Sequence, residues 1–187
     1  LQNVGNMFVG GSLLFGTTAA VNGNATASVF VEGAITDSLI TVNDAMHIGR
    51  TDVQNNALAT TNAVVDVFNS TLVVTDGIVI GRLQGGGTNT ANIATGTLAL
   101  HNSQVITGNP TLIGTTDGAT QGTAGGVLSM NPSYLKTPAL LLGDNAVIRM
   151  ELDGLLRQIE YSAIDVTAGA LVAQLNGLLE IIFTFEP

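Results

Sequence analysis

The segment Ser38-Leu-Ile-Thr-Val-Asn-Asp-Ala-Met-His-Ile-Gly-Arg50 returns 32 positions later, without a gap, as Ser70-Thr-Leu-Val-Val-Thr-Asp-Gly-Ile-Val-Ile-Gly-Arg82. Ser38/Ser70, Val42/Val74, Asp44/Asp76, Ile48/Ile80, Gly49/Gly81 and Arg50/Arg82 are identical pairs. A weaker third copy is read in Gly96-Thr-Leu-Ala-Leu-His-Asn-Ser-Gln-Val-Ile-Thr-Gly108. A fourth opens at Gly126-Val-Leu-Ser-Met-Asn131 and, after an insertion, closes at Ala139-Leu-Leu-Leu-Gly143. Near the start, Asn6-Met-Phe-Val-Gly10 matches the second half of the unit. Copies that recur every roughly 26 to 39 residues indicate a solenoid or a propeller, because each unit buries its apolar face only against its neighbours.

The unit has an internal order of strand, turn, strand, turn. Short β-branched or alternating stretches (residues 39–42, 72–74 and 98–100) reach an Asn, Asp or Gly corner. A second strand (residues 46–48 and 78–80) then ends at Gly. Apolar residues sit at i, i+2 rather than at i, i+3, i+4, so helical periodicity is absent. Polar, Gly-rich excursions of variable length follow, at residues 82–90 and 115–126. One coil of a β-helix needs about 20 to 30 residues, a propeller blade about 40 or more. The expected fold is therefore all-β: a single-stranded, right-handed parallel β-helix, or solenoid, with irregular loop insertions, forming one repeat domain over residues 1–187. Residues 115–125 and 131–138 depart from the regular unit and are expected to project as loops.

Composition follows from that architecture. Hydrophobic residues make up 45% of the chain, but aromatics only 4% and charged residues 10%, with 23 Gly. Stacked coils want slim aliphatic side chains inside and Gly or Asn where a corner demands positive φ. They also want few charges, since each would meet its own copy about 4.8 Å away. A net charge of -9 with five basic residues excludes duplex binding, for want of cations to neutralise phosphates. No Cys means no disulfide scaffold, thiolate zinc site or Cys nucleophile. No apolar run approaches the ~18 residues of a membrane-spanning helix, so no span is expected in this segment.

The last quarter alternates cleanly. Val147, Arg149 and Glu151 share one face of a strand over residues 146–152, and Ile148, Met150 and Leu152 the other. Asp153-Gly154 reads as a turn, and three further strands are expected within residues 161–167, 170–175 and 178–185. A helix over residues 167–179 is the alternative, favoured by Ala, Leu and Gln but weakened by Gly169 and Gly177. The chain opens at Leu1 without a basic leader and closes at Pro187, directly after an apolar run. A piece of a longer protein, or an uncapped assembly subunit, is the expectation.

Two stretches carry a family resemblance: the recurring unit Ser70-Thr-Leu-Val-Val-Thr-Asp-Gly-Ile-Val-Ile-Gly81, and the ending Ile164-Asp-Val-Thr-Ala-Gly-Ala-Leu-Val-Ala-Gln-Leu175. Together they resemble the β-helical passengers of bacterial autotransporters and surface proteins with autotransporter-associated strand repeats. The resemblance implies an extracellular or cell-surface location and speaks for architecture far more than for activity.

The candidate chemistry is sparse. Asp44 and Asp76 occupy equivalent corners, with Arg50 and Arg82 at equivalent strand ends about one coil apart. They could form a carboxylate pair or a cation site, but an Asx corner bonding its own backbone accounts for them better, because catalytic residues break a repeat rather than follow it. His47 and His101 show no metal-ligand spacing. Gly10-Gly-Ser-Leu-Leu14 is no nucleophile elbow. Gly81-Arg-Leu-Gln-Gly-Gly-Gly87 has the glycines of a phosphate loop without its Lys or its helix. The sequons at Asn24 and Asn69 are expected by chance in so Asn- and Thr-rich a chain. No catalytic, cofactor-binding or metal-binding residue is therefore assigned, and no cofactor is expected.

The function expected is a non-enzymatic extracellular structural or adhesive β-helix: a stalk, adhesin or surface-matrix element. Its partners would be surface glycans or other matrix proteins, not nucleic acid. One alternative is a self-assembling fibre subunit that pairs through its coil ends. The other is a polysaccharide lyase or glycosidase built on the same fold.

Overall fold

The computed structural model describes residues 5–19, 23–32, 38–118, 120–152, 161–167 and 173–184. The chain winds through rungs of three strands each. In order these are β1 (Met7–Val9), β2 (Leu13–Ala19) and β3 (Gly23–Glu32); β4 (Ser38–Val42), β5 (Met46–Asp52) and β6 (Ala59–Phe68); β7 (Ser70–Val74), β8 (Ile78–Gln84) and β9 (Ile93–His101). Then come β10 (Gln104–Thr107), β11 (Thr111–Thr116) and β12 (Thr123–Asn131); β13 (Tyr134–Thr137), β14 (Leu140–Leu142) and β15 (Ala146–Leu152); and β16 (Ala163–Val166), β17 (Ala173–Leu175) and β18 (Leu178–Phe183). Every third strand joins the same sheet, giving three six-stranded sheets: β1-β4-β7-β10-β13-β16, β2-β5-β8-β11-β14-β17 and β3-β6-β9-β12-β15-β18. All strand pairings within them are parallel, so the chain is a parallel β-solenoid with no helix among its described residues.

The 32-residue repeat is realised residue for residue. Ser38 pairs with Ser70, Val42 with Val74, Ile48 with Ile80 and Arg50 with Arg82. Inward positions stack as aliphatic ladders in each sheet. Ile40, Leu72, Val105 and Leu135 form one, Ile48, Ile80, Ile113 and Leu142 the second, and Val65, Leu98, Leu128 and Ile148 the third. All twelve belong to one buried cluster. Each contributes about 1.5 to 3 kcal/mol by leaving water.

The phase of the weaker copies differs from the sequence expectation. Residues 96–101 lie in β9, a third-sheet strand, and the true successor of β7 is β10, with Thr71 opposite Gln104 and Val74 opposite Thr107. Likewise residues 126–131 lie in β12 of the third sheet, while residues 140–142 form β14 of the second. The supposed insertion at residues 131–138 is no insertion: it holds β13, a regular first-sheet strand. At the start, β1 pairs with β4, the first half of the unit rather than the second. The physical reason is common to all four: strands of the three sheets alternate alike, so an alternation pattern does not say which sheet a strand joins.

The second strand of the unit also does not end at Gly. β5 and β8 continue through Gly49 and Gly81, which take φ of 68° and 65° and bend the strand. Before the bend, Met46 and Ile48 face the main core. After it, Thr51 and Leu83 turn towards the opening halves of β6 and β9, where Leu83 joins Ala94 and Ala124 in a second, smaller core. The outcome is a main barrel of coils and a side lobe, pinched together where glycine backbones touch. The lobe occupies residues 115–125 between Gly114 and Gly126, but only residues 144–145 lie between the equivalent positions Gly143 and Ala146. Of the segment expected as a projecting loop, residues 115–116 and 123–125 are the strand ends of β11 and β12, paired to the neighbouring rung, and residues 117–118 and 120–122 lie outside the strands; the missing lobe one rung later leaves a step in the surface.

The last rungs follow expectation in type. β15 pairs with β18, and strands rather than a helix occupy residues 173–175 and 178–183. The turn expected at Asp153-Gly154 lies outside the described residues. Among the described residues no helix is long and apolar enough to cross a membrane.

Candidate functional site

The outer face of the second sheet gathers most of the candidate residues. Leu14, His47, Val79, Leu112 and Leu141 stand in register up this face. A second column holds Thr17, Arg50, Arg82 and Thr115. Arg50 and Arg82 are therefore mid-strand residues just past the glycine bend, and not at strand ends as expected from the sequence. Corner residues Asp44, Asp76 and Asn109 wall one side, and Arg50 and Arg82 the other. Between them runs a groove of about 550 Å³, floored in part by Val79, Leu112 and Leu141. Where the lobe ends, a second recess of about 500 Å³ opens beside Thr115, Thr116, Asp144 and Asn145.

The two corner carboxylates bond to neighbouring polar groups and not to each other. Ser12 Oγ donates to Asp44 Oδ2 at 2.6 Å, and Asn109 Nδ2 donates to Asp76 Oδ1 at 2.5 Å. The Ser12 hydroxyl and the Ala45 amide hold the Asp44 carboxyl below the usual carboxylate range, with His47 adding a smaller pull. This is the geometry of an Asx corner linked across rungs. Ser12, Asp44 and His47 border the same groove, but the serine hydroxyl points to the aspartate and not to the imidazole, so no base is placed to activate it. Among the described residues no three His, Cys, Asp or Glu side chains converge as a metal would require.

Arg50 is held in place: Nη2 lies 3.2 Å from Asp52 Oδ2, which also accepts from Gln84 Nε2 at 3.0 Å. Arg50 Nη1 lies 3.4 Å from His47 Nε2. His47 is half-buried, and its Nδ1 has no hydrogen-bond partner. Burial, then the charges of Arg50 and Arg82, push the imidazole pKa down. Arg82, by contrast, makes no hydrogen bond or ion pair with any described residue. His101 stands apart in the third sheet, its ring stacked on Phe68 one rung earlier with centroids 4.1 Å apart and planes 6° from parallel.

The glycine run after Gly81 is spent within the lobe. Gly85 N–H donates to Asp117 Oδ2 at 2.8 Å and Gly86 N–H to Thr120 Oγ1 at 2.9 Å, so these amides serve the next rung and cradle no phosphate. Burial pushes the Asp117 pKa up, but donors from Thr120 and Gly85, with the Arg82 charge, outweigh it and the net shift is downward. Asn69 of the second sequon sits in a left-handed corner at φ 49°, accepting from Asn102 Nδ2 at 2.9 Å.

Sequence reasoning missed a buried serine ladder at the corner between the third and first sheets. Ser70 N–H donates to Ser103 Oγ at 3.3 Å, Ser103 N–H to Ser133 Oγ at 3.1 Å and Ser133 N–H to Ser162 Oγ at 3.1 Å. The recurring dipeptides Asn69-Ser70 and Asn102-Ser103 were the available signal, and they also carry the correct phase of the repeat. The groove's length was likewise invisible, since it depends on the lobe stopping after one particular rung. Comparison with protein-family models, with curated proteins and with solved structures finds no match to this chain.

Proposed function

We propose that this chain is a non-enzymatic structural and adhesive element of an extracellular or bacterial cell-surface protein, acting as part of a stalk, adhesin or surface matrix. The observation that carries this reading is the way its polar groups are used. Corner carboxylates, lobe amides and corner serines are bound from rung to rung, which stiffens a continuous aliphatic core along its axis. Coupled neighbours of this kind make a rigid scaffold with a regular outer surface. A lyase would need an acid and a base placed to act on one bond, whereas Asp44 and Asp76 sit at successive corners bonded to Ser12 and Asn109 and not to each other or to a base.

A second reading, the self-assembling fibre subunit, has its own support. Leu179, Ile181 and Phe183 are in register with Ile148, Met150 and Leu152, on the inward side of β15, yet are 55%, 50% and 67% exposed. At the opposite end an apolar cavity of about 150 Å³ opens among Met7, Val9, Leu13 and Phe15. Apolar faces of this kind are covered by one more rung, from a continuation of the same chain or from a second copy.

Electron microscopy and an activity assay separate the three outcomes. The structural and adhesive reading expects discrete particles, retention on glycan-coated beads, and no release of unsaturated sugars from polygalacturonate. Indefinite filaments would favour the fibre subunit. Sugar release abolished by Asp44→Ala or Asp76→Ala would establish an enzyme instead.

A further inference from the structure

The groove and the step recess share three walls: Arg82, Leu112 and Leu141. They form one trough along the second sheet, with Arg82 at its middle. Each is of ordinary ligand-site size, and joined they exceed what a single small ring would fill. We infer that this trough binds a neutral oligosaccharide, with the Arg82 guanidinium as its central donor; the inference rests on the adhesive reading above and names its ligand class.

Three observations point to this chemistry. First, Arg82 is unengaged, whereas Arg50 is tied to Asp52 and Arg149 to Glu180. A guanidinium offers five N–H donors in a fixed fork, and all of them remain for a ligand's oxygens. Second, the walls hold planar polar groups beside a small apolar floor. Asp44, Asp76 and Asn109 lie on one side, and Asp144, Asn145 and Asn176 at the far end. Each engaged corner carboxylate still has vacant lone pairs, so it accepts from sugar hydroxyls through charge-assisted bonds while Leu112 and Leu141 meet the C–H face of the ring. Third, His47 and Thr115 line the trough beside Arg82, and each holds a side-chain polar atom, Nδ1 and Oγ1, with no hydrogen-bond partner.

Charge selects the class of sugar. The chain carries -9 overall, and three carboxylates, Asp44, Asp76 and Asp144, line the trough beside Arg50 and Arg82, so a polyanionic glycan is repelled.

The test is a titration of the purified chain with cellohexaose, mannohexaose and hexagalacturonate, following the arginine Nε–Hε resonances. A neutral hexasaccharide is expected to shift the Arg82 signal. Arg82→Ala should weaken that binding at least about tenfold, as the loss of a charged donor does. Asp144→Ala, at the far end, should weaken it less, and Lys136→Ala on the first sheet should leave it unchanged. Thermal unfolding of each variant checks that it folds; should Arg82→Ala not fold, Asp144→Ala decides. Silence of Arg82 towards both neutral sugars, tighter binding of hexagalacturonate, or binding indifferent to Arg82→Ala and Asp144→Ala would each overturn the proposal. Binding that persists in both variants leaves the adhesive reading standing and removes only this trough. Loss of bead retention in the wild type would remove the adhesive reading itself.

Discussion

Gly81 packs its Cα against the carbonyl of Gly125, so closely that a Cβ at Gly81 would overlap the carbonyl oxygen and lie 3.2 Å from Cα of Gly126. Gly49 meets Thr95 and Gly96 in the same way one rung earlier. These contacts form the waist between the main core and the lobe. The lobe in turn walls the step end of the trough beside Arg82, so the candidate site depends on glycines that touch no ligand.

The waist can be tested by two substitutions that share a positive φ but differ in space. Gly81→Ala meets both backbone strain and a collision with fixed backbone, and is expected to cost more than about 3 kcal/mol or to prevent folding. Gly86, at φ 80°, has nothing within 4 Å of a built Cβ, so Gly86→Ala should lose only about 1 kcal/mol from left-handed strain. Urea unfolding of the two variants measures the difference. Equal losses would mean that the waist is looser than the backbone contact implies.

The serine ladder makes a local prediction. Ser103 Oγ accepts from Ser70 N–H and donates to the His101 carbonyl at 2.8 Å, while Ser103 itself is 6% exposed. Ser103→Ala keeps the shape but strands a buried N–H, a loss of about 1 to 3 kcal/mol. Hydrogen exchange should show the Ser70 amide accelerated beyond the global change. An unchanged Ser70 amide would mean that water replaces the hydroxyl.

His47 predicts a pH dependence. Burial first, then Arg50 and Arg82, lower its folded pKa below the ordinary value of 6.5, which the unfolded chain retains. Between the two values the unfolded state binds a proton that the folded state refuses. The stability is therefore fully present above the ordinary pKa and falls as pH drops through it. Denaturation midpoints measured from about pH 7.5 to about pH 5.5 should decline in the wild type and decline less in His47→Gln. Parallel slopes would show that His47 titrates alike in both states.

Much of this architecture is legible in the amino-acid order. The gap-free match of residues 38–50 with residues 70–82 stated the pitch of the solenoid and the register of β4 on β7 and β5 on β8, since in a parallel stack equivalent residues must pair. The scarcity of charge and aromatics agreed with narrow aliphatic ladders. The weaker copies were misphased because Leu98 and Leu100 alternate as Leu72 and Val74 do; only the corner pair Asn102-Ser103 distinguishes the first-sheet strand that follows it. The continuation of β5 through Gly49 was hidden for a related reason. A positive-φ glycine ends one strand and bends another, and local sequence does not separate the two outcomes.

The amino-acid order by itself determined that the chain coils, how many residues a coil takes, and which side chains of residues 38–50 stack on those of residues 70–82, because periodic burial is a property of spacing along the chain. Only the tertiary structure decided the rest. It showed the glycine waist, the lobe that ends two rungs before the sheets do, and the engagement of Asp44 and Asp76 beside an unengaged Arg82. Each of those depends on which backbones approach across the coil, and that distance is set by residues some thirty positions apart.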